Sequence, residues 1–482
     1  MIQTFIKDSF IYSIPIIISR GLGIILLPIY TRITSAEELG ALELFFAFGN
    51  LAMIIITLEI SQAIARFIPE LPLGKKRNEY SSSGFIFIFL SYLFFASLFF
   101  SFSNELALLI TGVDYFNKEF EKVILYIFTS GIFYYLQNLL RFEGKSGTYA
   151  FISILYACLN LFITAILGLV FFLGFDAILY SLIISNLTVM ILAMFALRHS
   201  LSLQFSIHAL RELFFFSFPL IPASIFVFLS LYIDRIMISS MLGLDAAGLY
   251  AVALRLSSVF AIIIVGFRLA ILPLIYKNQS APNTPQDLSV IFRNFVALAL
   301  IFFISYSFLV DDVVKLLTSP LYFGITSIIP ILTVAICFAN INVFMPGAAI
   351  RKKTHIIMWI SLLVSIINFL MNFLLIPQFG ILGAALATAF GYTIGFICHS
   401  YFSQQLYFVP HEWPKYIANL LAAFVVVIIY FFIKHDLETL ASIVFRLIGL
   451  TVLILIMIKT QLIRVDELRN IYFSLTKKTS NE

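Results

Sequence analysis

The chain has 482 residues, of which 61% are hydrophobic and 11% are charged, and its formal net charge is +5. A soluble domain carries about 25% charged residues, so this composition excludes a water-soluble globular protein and makes lipid the solvent for most of the surface. The small positive charge gives no case for nucleic-acid binding. The three cysteines all fall in apolar stretches, a pattern that indicates neither a disulfide framework nor a zinc site.

Fourteen apolar stretches, each long enough to cross a bilayer, follow one another along the chain. The first lacks a small-residue cleavage site, so we expect a retained membrane helix rather than a signal peptide. The last two are short and closely spaced, which indicates a helix pair added to a twelve-helix core. The predicted spans 1 to 14 are 9–30, 41–64, 82–103, 122–141, 149–173, 177–197, 213–242, 248–276, 290–310, 323–349, 355–376, 380–402, 416–433 and 441–458.

Lysine and arginine accumulate in every second gap between these spans. If the N-terminus lies in the cytoplasm, the cytoplasmic gaps contain 20 of these residues and the outer gaps contain 5. Such a bias in short loops sets the orientation of a membrane protein, so we predict that both termini are cytoplasmic. The other basic residues lie within predicted spans: Arg20, Arg235, Arg255, Arg268 and Arg446.

The order of features repeats between the two halves of the chain. A basic loop precedes spans 5 and 11, an asparagine lies within each of them (Asn160 and Asn368), and a glycine-containing sequence follows each. Two repeated six-helix halves are a transporter architecture, with the substrate site between the halves. We therefore predict an N-lobe at 1–200, a C-lobe at 201–405, and a C-terminal helix pair with a cytoplasmic tail at 406–482.

Five segments between residues 9 and 405 carry a family pattern. They are LPIYTRITSAEELGALEL (27–44), SQAIARFIPE (61–70), LLRFEGKSGTYA (139–150), SFPLIPAS (217–224) followed by Asp234-Arg235 and AAGLYAVALRLS (246–257), and FGILGAALATAFGY (379–392). In this order they resemble bacterial polysaccharide and O-antigen flippases of the Wzx type. That family is the polysaccharide-transporter branch of the multidrug/oligosaccharidyl-lipid/polysaccharide exporter superfamily.

The spans predict an all-α polytopic membrane protein with 14 transmembrane helices, and the resemblance implies that twelve of them form two six-helix lobes in a V shape, to which the C-terminal pair is added. It implies a multi-pass protein of the bacterial inner membrane, not an enzyme. The implied cargo is an undecaprenyl-diphosphate-linked oligosaccharide for O-antigen, capsular or exopolysaccharide biosynthesis. Besides membrane lipid, a polymerase and a chain-length regulator of the same pathway are candidate partners. No cofactor, metal or nucleic acid is expected.

Three arginines in predicted spans are candidates for binding the diphosphate, because a guanidinium group stays charged and binds phosphate oxygens bidentately. Arg20 lies near the middle of span 1, too deep to reach the interface easily. Arg255 and Arg268 both lie on span 8 and can face one cavity only if that span bends, which Gly266 would permit. The alternatives are an ion pair, with Glu59 the nearest acid for Arg20, or snorkelling to the membrane surface.

Two further arginines, Arg66 and Arg141, lie at the predicted cytoplasmic mouth, where they can meet an entering diphosphate. The positive-inside bias alone also explains them. Glu59 lies in span 2 with Gln62 and Arg66 on the same helix face. Its carboxylate is a candidate for carrying a proton, or it is a counterion of an arginine.

The remaining candidates are polar residues within spans. Asp234 and Arg235, near the outer end of span 7, are interpreted as a structural ion pair that fixes the turn to span 8. Asn368, Asn372 and Asn160 can contact sugar hydroxyls or form interhelical hydrogen bonds, which are commoner. Arg446 is interpreted as a snorkelling residue at the interface.

Three other functions remain open. A multidrug antiporter of the same superfamily exports cations and needs acids in its cavity, whereas basic residues outnumber acids in these spans. A lipid II flippase would differ only in the head group of its substrate. A membrane-embedded glycan polymerase or ligase would need a large outer loop, and the longest loops here have about 18 residues. The chain has no GxxxxGK[ST] motif, so ATP is not expected to power transport directly.

Overall fold

A computed structural model of the chain describes residues 21–72, 74–201, 204–278, 281–351, 353–434 and 439–464, together with Ile18 and Asp466. Every regular element within these residues is helical. Thirteen helical segments of the described part are long and apolar enough to cross a membrane. The prediction of an all-α polytopic membrane protein is therefore confirmed. Half of predicted span 1 lies outside the described residues, so the count of fourteen stays a prediction.

The first half of the described chain contains eight α-helices, and a π-helical turn, Ile166–Val170, continues the seventh. The helices are α1 Leu27–Ile33, α2 Ala36–Thr57, α3 Ile60–Phe67, α4 Lys75–Ser101, α5 Ser103–Thr111, α6 Asn117–Phe142, α7 Ser146–Ala165 and α8 Phe175–Ala196. The start of α2 is fixed by a capping box, in which Ser35 accepts from the Glu38 backbone N–H and Glu38 accepts from the Ser35 backbone N–H. This arrangement satisfies two donors that a helix start leaves unpaired.

The second half contains eleven α-helices and three short 3-10 helices at 218–220, 320–327 and 341–344. The α-helices are α9 Ile207–Ser217, α10 Ile221–Leu242, α11 Leu244–Ser257, α12 Val259–Asn278, α13 Thr284–Leu317, α14 Ile329–Asn340, α15 Gly347–Ile350, α16 Thr354–Phe379, α17 Ile381–Leu406, α18 Trp413–Ile433 and α19 Thr439–Lys459. The C-terminal pair, α18 and α19, packs against α13. The predicted division at residues 200 and 405 stays a prediction.

Predicted span 8 is interrupted, but not at the expected position. The helix runs through Gly266 and breaks at Ser258, between α11 and α12. The Ser258 hydroxyl donates to the carbonyl oxygen of Arg255 at 2.6 Å, and the Ser257 hydroxyl donates to that of Ala253 at 2.8 Å. Serine hydroxyls that bond back to the preceding turn bend helices. The bend predicted at Gly266 is therefore corrected to Ser258.

The two halves meet where α2 packs against α10 and α11, a contact that we call the seam. Gly40 of α2 and Gly248 of α11 bring the two backbones together. A Cβ atom at Gly40 would lie 2.0 Å from the Leu244 carbonyl oxygen, and one at Gly248 would lie 1.9 Å from the Ala36 carbonyl oxygen. Only small residues permit such an approach between membrane helices. The seam is thus closed at the end of α2 that the charge bias predicts to face outside.

Candidate functional site

A buried acid on α2 joins the halves across the seam. The Glu43 carboxylate lies 3.1 Å from Nε of Arg235 on α10 and 2.5 Å from a terminal guanidinium nitrogen of Arg255 on α11. The three side chains are 8%, 13% and 20% exposed, respectively. The Arg235 guanidinium also lies 5.1 Å from the ring centroid of Tyr232, and that of Arg255 lies 5.6 Å from the ring centroid of Tyr30. Glu43 therefore bridges two arginines and ties α2 to both helices.

This arrangement corrects the predicted pairing of Asp234 with Arg235. The two side chains are adjacent in sequence but have different partners, because Arg235 reaches Glu43 while Asp234 accepts hydroxyl donors in the C-terminal half. Tyr250 donates to Oδ2 of Asp234 at 2.9 Å, and Thr388 donates to the same oxygen at 3.1 Å. Asp234 thus fastens α10 to α11 and α17, while Arg235 fastens α10 to α2.

Asp234 belongs to a chain of buried polar groups that joins α10, α16 and α17. The amide of Asn372 donates to Oδ1 of Asn368 at 2.8 Å, and the amide of Asn368 donates to the Thr388 hydroxyl at 3.3 Å. All four side chains are at most 4% exposed. Oδ1 of Asp234 and Oδ1 of Asn372 have no hydrogen-bond partner among the described residues. Buried carboxylate and amide oxygens without donors are suited to a hard cation.

Asn160 does not join this chain. It lies on α7 in the N-terminal half, is 2% exposed, and its Nδ2 has no hydrogen-bond partner in the described part of the protein. Its local bonding therefore differs from that of Asn368, and their equivalence in the repeat stays a prediction.

A cavity of about 480 Å³ lies between the halves and is bounded by α2, α3 and α10. It lies further along α2 than the closed contact at Gly40 and Glu43. Asn50 and Tyr232 meet at one end of it, where the Asn50 amide donates to the Tyr232 hydroxyl at 3.0 Å. The remaining wall contains Glu59, Gln62 and Ser224 together with apolar side chains. Glu59 is the one charged side chain among the described residues that line this cavity.

Glu59 occupies a break in predicted span 2 rather than a continuous helix. Leu58 and Glu59 have φ angles of 49° and 57°, both left-handed, and they separate α2 from α3. A residue other than glycine in this region costs of the order of 1–3 kcal/mol. The prediction that Glu59 lies within a continuous helix is therefore wrong, although Glu59 and Gln62 do line the same cavity. Broken membrane helices line the binding sites of many transporters, and this break lies at the cavity.

The predicted phosphate-binding arginines occupy separate places. Arg20 lies outside the described residues. Arg268 is exposed on α12 and has no ion pair within the described ranges. Arg66 is exposed and pairs with Glu70 one turn further along the chain. Arg141 lies at the end of α6, with its guanidinium 5.7 Å from a neighbouring phenylalanine ring. Arg255 has a partner of its own, the Glu43 carboxylate.

Arg446 has two partners at the end of the molecule predicted to face outside. It lies 2.7 Å from Asp312 and its Nε donates to the Tyr430 hydroxyl at 3.1 Å. These contacts link α19 to α13 and α18. The interpretation of Arg446 as a snorkelling residue is therefore replaced by a bonded position between helices.

Glu43, Asn50 and Tyr232 were not singled out from the sequence as site residues. Glu43 had an available signal, since an acid within an apolar span is as costly as an arginine there. Its distance from Arg255, 212 residues along the chain, conceals the pairing. Asn50 and Tyr232 have no comparable signal, because polar and aromatic residues are frequent throughout these spans.

An ion-paired seam that closes one end of a cavity, within a bundle of apolar helices, defines the protein as a polytopic membrane protein with a transporter fold. Solved structures with a similar fold include the following three. The lipid II flippase MurJ in an inward closed conformation has a TM-score of 0.71 at 15% identity, over 95% of this chain and 100% of that one. An inward-facing multidrug resistance MATE transporter of the MOP superfamily has a TM-score of 0.64 at 14% identity, over 82% and 97%. A MOP superfamily transporter from Pyrococcus furiosus, described as having a binding pocket of reverse polarity, has a TM-score of 0.56 at 14% identity, over 83% and 95%.

The family model described as polysaccharide biosynthesis protein matches residues 5–279. The chain therefore belongs to this family, and the recognition made from its sequence is confirmed. No match was found among curated proteins. The structural neighbours are flippases and transporters rather than enzymes, and identities of 14–15% carry the fold alone.

Proposed function

We propose that this protein is a flippase that carries an undecaprenyl-diphosphate-linked oligosaccharide across the bacterial inner membrane, for O-antigen, capsular or exopolysaccharide biosynthesis. The observation that carries the proposal is a closed seam next to a cavity that contains Asn50, Glu59 and Gln62, in a member of a polysaccharide biosynthesis family. The lipid II flippase among the structural neighbours supports a lipid-linked cargo. A polymerase and a chain-length regulator of the same pathway would receive the product.

The proposed cycle follows from the position of the closure. The closed contact, formed by Gly40, Gly248 and the Glu43 ion pairs, lies beside the start of α2. The cavity begins at Asn50, about 10 Å further along this helix than Glu43. With both termini in the cytoplasm, the closed end faces outside and the cavity lies on the cytoplasmic side. The head group then enters from the cytoplasm while the polyprenyl tail stays in lipid. Separation of α2 from α10 and α11 opens the outer side.

The diphosphate needs cationic contacts during this passage. Arg20 and Arg268 keep this role in the proposal, and Arg66 and Arg141 serve at the mouth. Arg268 supports it because it is exposed and has no ion pair within the described ranges, so its charge is available to a ligand.

The buried oxygen chain of the C-terminal half is proposed as the site of a coupling ion. A monovalent cation at Oδ1 of Asp234 would satisfy a buried oxygen that now lacks a donor. Because Arg235 follows Asp234 on α10, a shift of this helix would reach the seam. Glu59, at the cavity, is the alternative site for a coupling proton.

The proposal is tested with purified protein in liposomes that contain an undecaprenyl diphosphate carrying a labelled oligosaccharide. Its movement is followed as protection of the sugar from an added glycosidase. We expect the wild type to transport the lipid. We expect Arg268→Gln to lower the transport rate at least about tenfold, because one bidentate phosphate contact contributes more than about 1.4 kcal/mol. Arg211→Gln is the control, because Arg211 is exposed on α9 and packs on a phenylalanine ring 5.4 Å away. Absence of transport, or export of cationic drugs instead, would overturn the proposal.

Ion coupling is measured in the same liposomes with a sodium gradient or a proton gradient. Asp234→Asn is expected to remove the dependence on sodium, whereas Asp312→Asn, at a half-exposed ion pair, is expected to keep it. If Glu59→Gln removes a dependence on the proton gradient and Asp234→Asn has no effect, the coupling site is at the break of span 2 instead.

A further inference from the structure

A second cavity, of about 240 Å³, adjoins the first within the N-terminal half. Asn50 and Met53 line both cavities, so the smaller one is a side chamber of the larger. Its other wall residues come from α2, α4 and α6, and they are Phe46, Gly49, Tyr92, Tyr126, Ile127, Ser130 and Tyr134. This volume is small beside the roughly 300–1,000 Å³ of common ligand pockets, which favours a single ring over a chain of rings.

The walls of the side chamber are aromatic and hydroxylated, and no charged residue occurs among those of its lining residues that are described. Each tyrosine or serine hydroxyl can donate one hydrogen bond and accept others. Phe46 and Tyr126 lie with ring centroids 5.6 Å apart and their planes tilted by 56°, so they form one side of an aromatic wall. The chamber therefore combines apolar faces with neutral donors and acceptors.

One hydroxyl in this wall has an unfulfilled hydrogen bond. Tyr92 is 1% exposed, and its hydroxyl has no hydrogen-bond partner in the described chain. The ring is held against α6, because a Cβ atom at Gly131 would lie 2.0 Å from this oxygen. Leaving a buried hydroxyl unpaired costs about 1–3 kcal/mol. Because the oxygen is itself buried against α6, the ring would have to shift before a ligand in the chamber could supply the missing hydrogen bond.

We propose that the side chamber is the subsite for one uncharged sugar ring of the transported head group. The inference rests on the proposed flippase function and specifies its substrate. A pyranose ring has C–H faces that pack on aromatic rings and a rim of hydroxyls that pair with tyrosine, serine and asparagine. A hydrocarbon chain would satisfy the aromatic faces but leave these hydroxyls unpaired.

The ring in the chamber is uncharged for electrostatic reasons. A sugar carboxylate would lose its hydration among walls without a cation, which costs several kcal/mol when no partner is present. The Glu59 carboxylate in the wall of the adjoining cavity would add repulsion between like charges. A uronic acid at this position of the head group is therefore disfavoured.

Asn50 connects the subsite to the seam. Its amide donates to the Tyr232 hydroxyl on α10 and to the Phe46 carbonyl oxygen on its own helix. A sugar hydroxyl that accepts from Asn50 takes the place of Tyr232, which removes one hydrogen bond between α2 and α10. Filling the chamber thus weakens the contact that must open.

The test uses liposomes and three probes: undecaprenyl diphosphate alone, the same lipid with one N-acetylglucosamine, and the same lipid with one glucuronic acid. We expect the wild type to carry the N-acetylglucosamine lipid at least about tenfold faster than the glucuronic acid lipid. Tyr126→Phe and Ser130→Ala each remove one hydroxyl, so each should slow the N-acetylglucosamine lipid by about two- to tenfold, the value of one hydrogen bond, without slowing the sugar-free lipid. Tyr401→Phe is the control, since Tyr401 is 60% exposed on α17.

The outcomes separate this inference from the function on which it rests. If the wild type carries none of the three lipids, the flippase proposal fails. If it carries both sugar lipids at equal rates and Tyr126→Phe behaves like Tyr401→Phe, the subsite is refuted and the flippase proposal stands. If Tyr126→Phe slows the sugar-free lipid equally, the effect lies in helix packing, and the subsite is likewise refuted.

Discussion

Replacing Glu43 by glutamine should open the outer side of the protein. The substitution keeps the shape of the side chain but removes the charge that bridges Arg235 and Arg255. In the closed state both guanidinium groups then stay largely buried without that carboxylate. In an outward-open state water hydrates them. Glu43→Gln therefore destabilises the closed state relative to the open one.

The size of this shift follows from the burial of the bridge. Removing one partner of a buried ion pair costs about 3–5 kcal/mol. Arg235 keeps the electrostatic interaction with Asp234 and the ring of Tyr232, so the lower end of this range applies. At 1.4 kcal/mol for each factor of ten, about 3 kcal/mol changes the closed-to-open equilibrium constant by roughly 150-fold.

The measurement is the rate at which a membrane-impermeant maleimide labels a cysteine at position 47 from outside. Ala47 lies on α2 within the seam and is 3% exposed, so Ala47→Cys reacts only when the seam opens. The three native cysteines are replaced first. We expect Glu43→Gln to increase the labelling rate by up to about the same factor, and Glu70→Gln, which removes an exposed ion pair, to leave it unchanged. Labelling of Glu43→Gln at the wild-type rate, in folded protein, would refute the reasoning.

Three further results are expected. Gly248→Leu should increase labelling at position 47 as well, because its side chain cannot fit against the Ala36 carbonyl oxygen, and a variant that still closes would show that the glycine contact is dispensable. Burial lowers the pKa of His411 to about 4, so the unfolded state binds a proton at a higher pH than the folded state does. Thermal stability should therefore fall as the pH decreases from about 6.5 to 4. His411→Gln should flatten this part of the plot of stability against pH, and an unchanged slope would contradict the role given to His411. Arg66→Gln should change the free energy of unfolding by less than about 1 kcal/mol in a denaturant titration, because its pair with Glu70 is exposed, and a larger loss would indicate a buried role.

The spans were predictable because lipid leaves few choices. A backbone in hydrocarbon must satisfy its own hydrogen bonds, so an apolar run of about 20 residues has one common solution, the helix. The breaks were not predictable in the same way. At Leu58 and Glu59 two residues without special turn chemistry adopt left-handed angles, and at Ser258 a common hydroxyl bonds back to the preceding turn. Packing in three dimensions decides such positions.

The candidate site was predictable in part. Contacts between residues close in sequence could be predicted, whereas contacts between residues far apart in sequence could not. Interhelical hydrogen bonding was one of the two roles expected for Asn368, and its amide does donate to Thr388 on α17, whereas Asn372 bonds to Asn368 within the same helix. Arg255 was noted as a costly charge within a span, but its partner lies in the other half of the chain. A single sequence shows which charges need a partner, and it does not show which partner is near.

The two interpretations of Arg255 from the sequence, phosphate contact and ion pair, are compatible in an alternating transporter. In the closed state the Glu43 carboxylate satisfies both seam arginines. When α2 moves away, the same two guanidinium groups are left facing the space between the halves. A ligand shifts a conformational equilibrium only by its difference in affinity for the two states, and a diphosphate can bind these arginines only after Glu43 has left them. Under the proposed function, the buried Glu43 bridge thus keeps the outer side closed when no cargo is bound. An anionic head group stabilises the open state, because only in that state are the two arginines free to bind it.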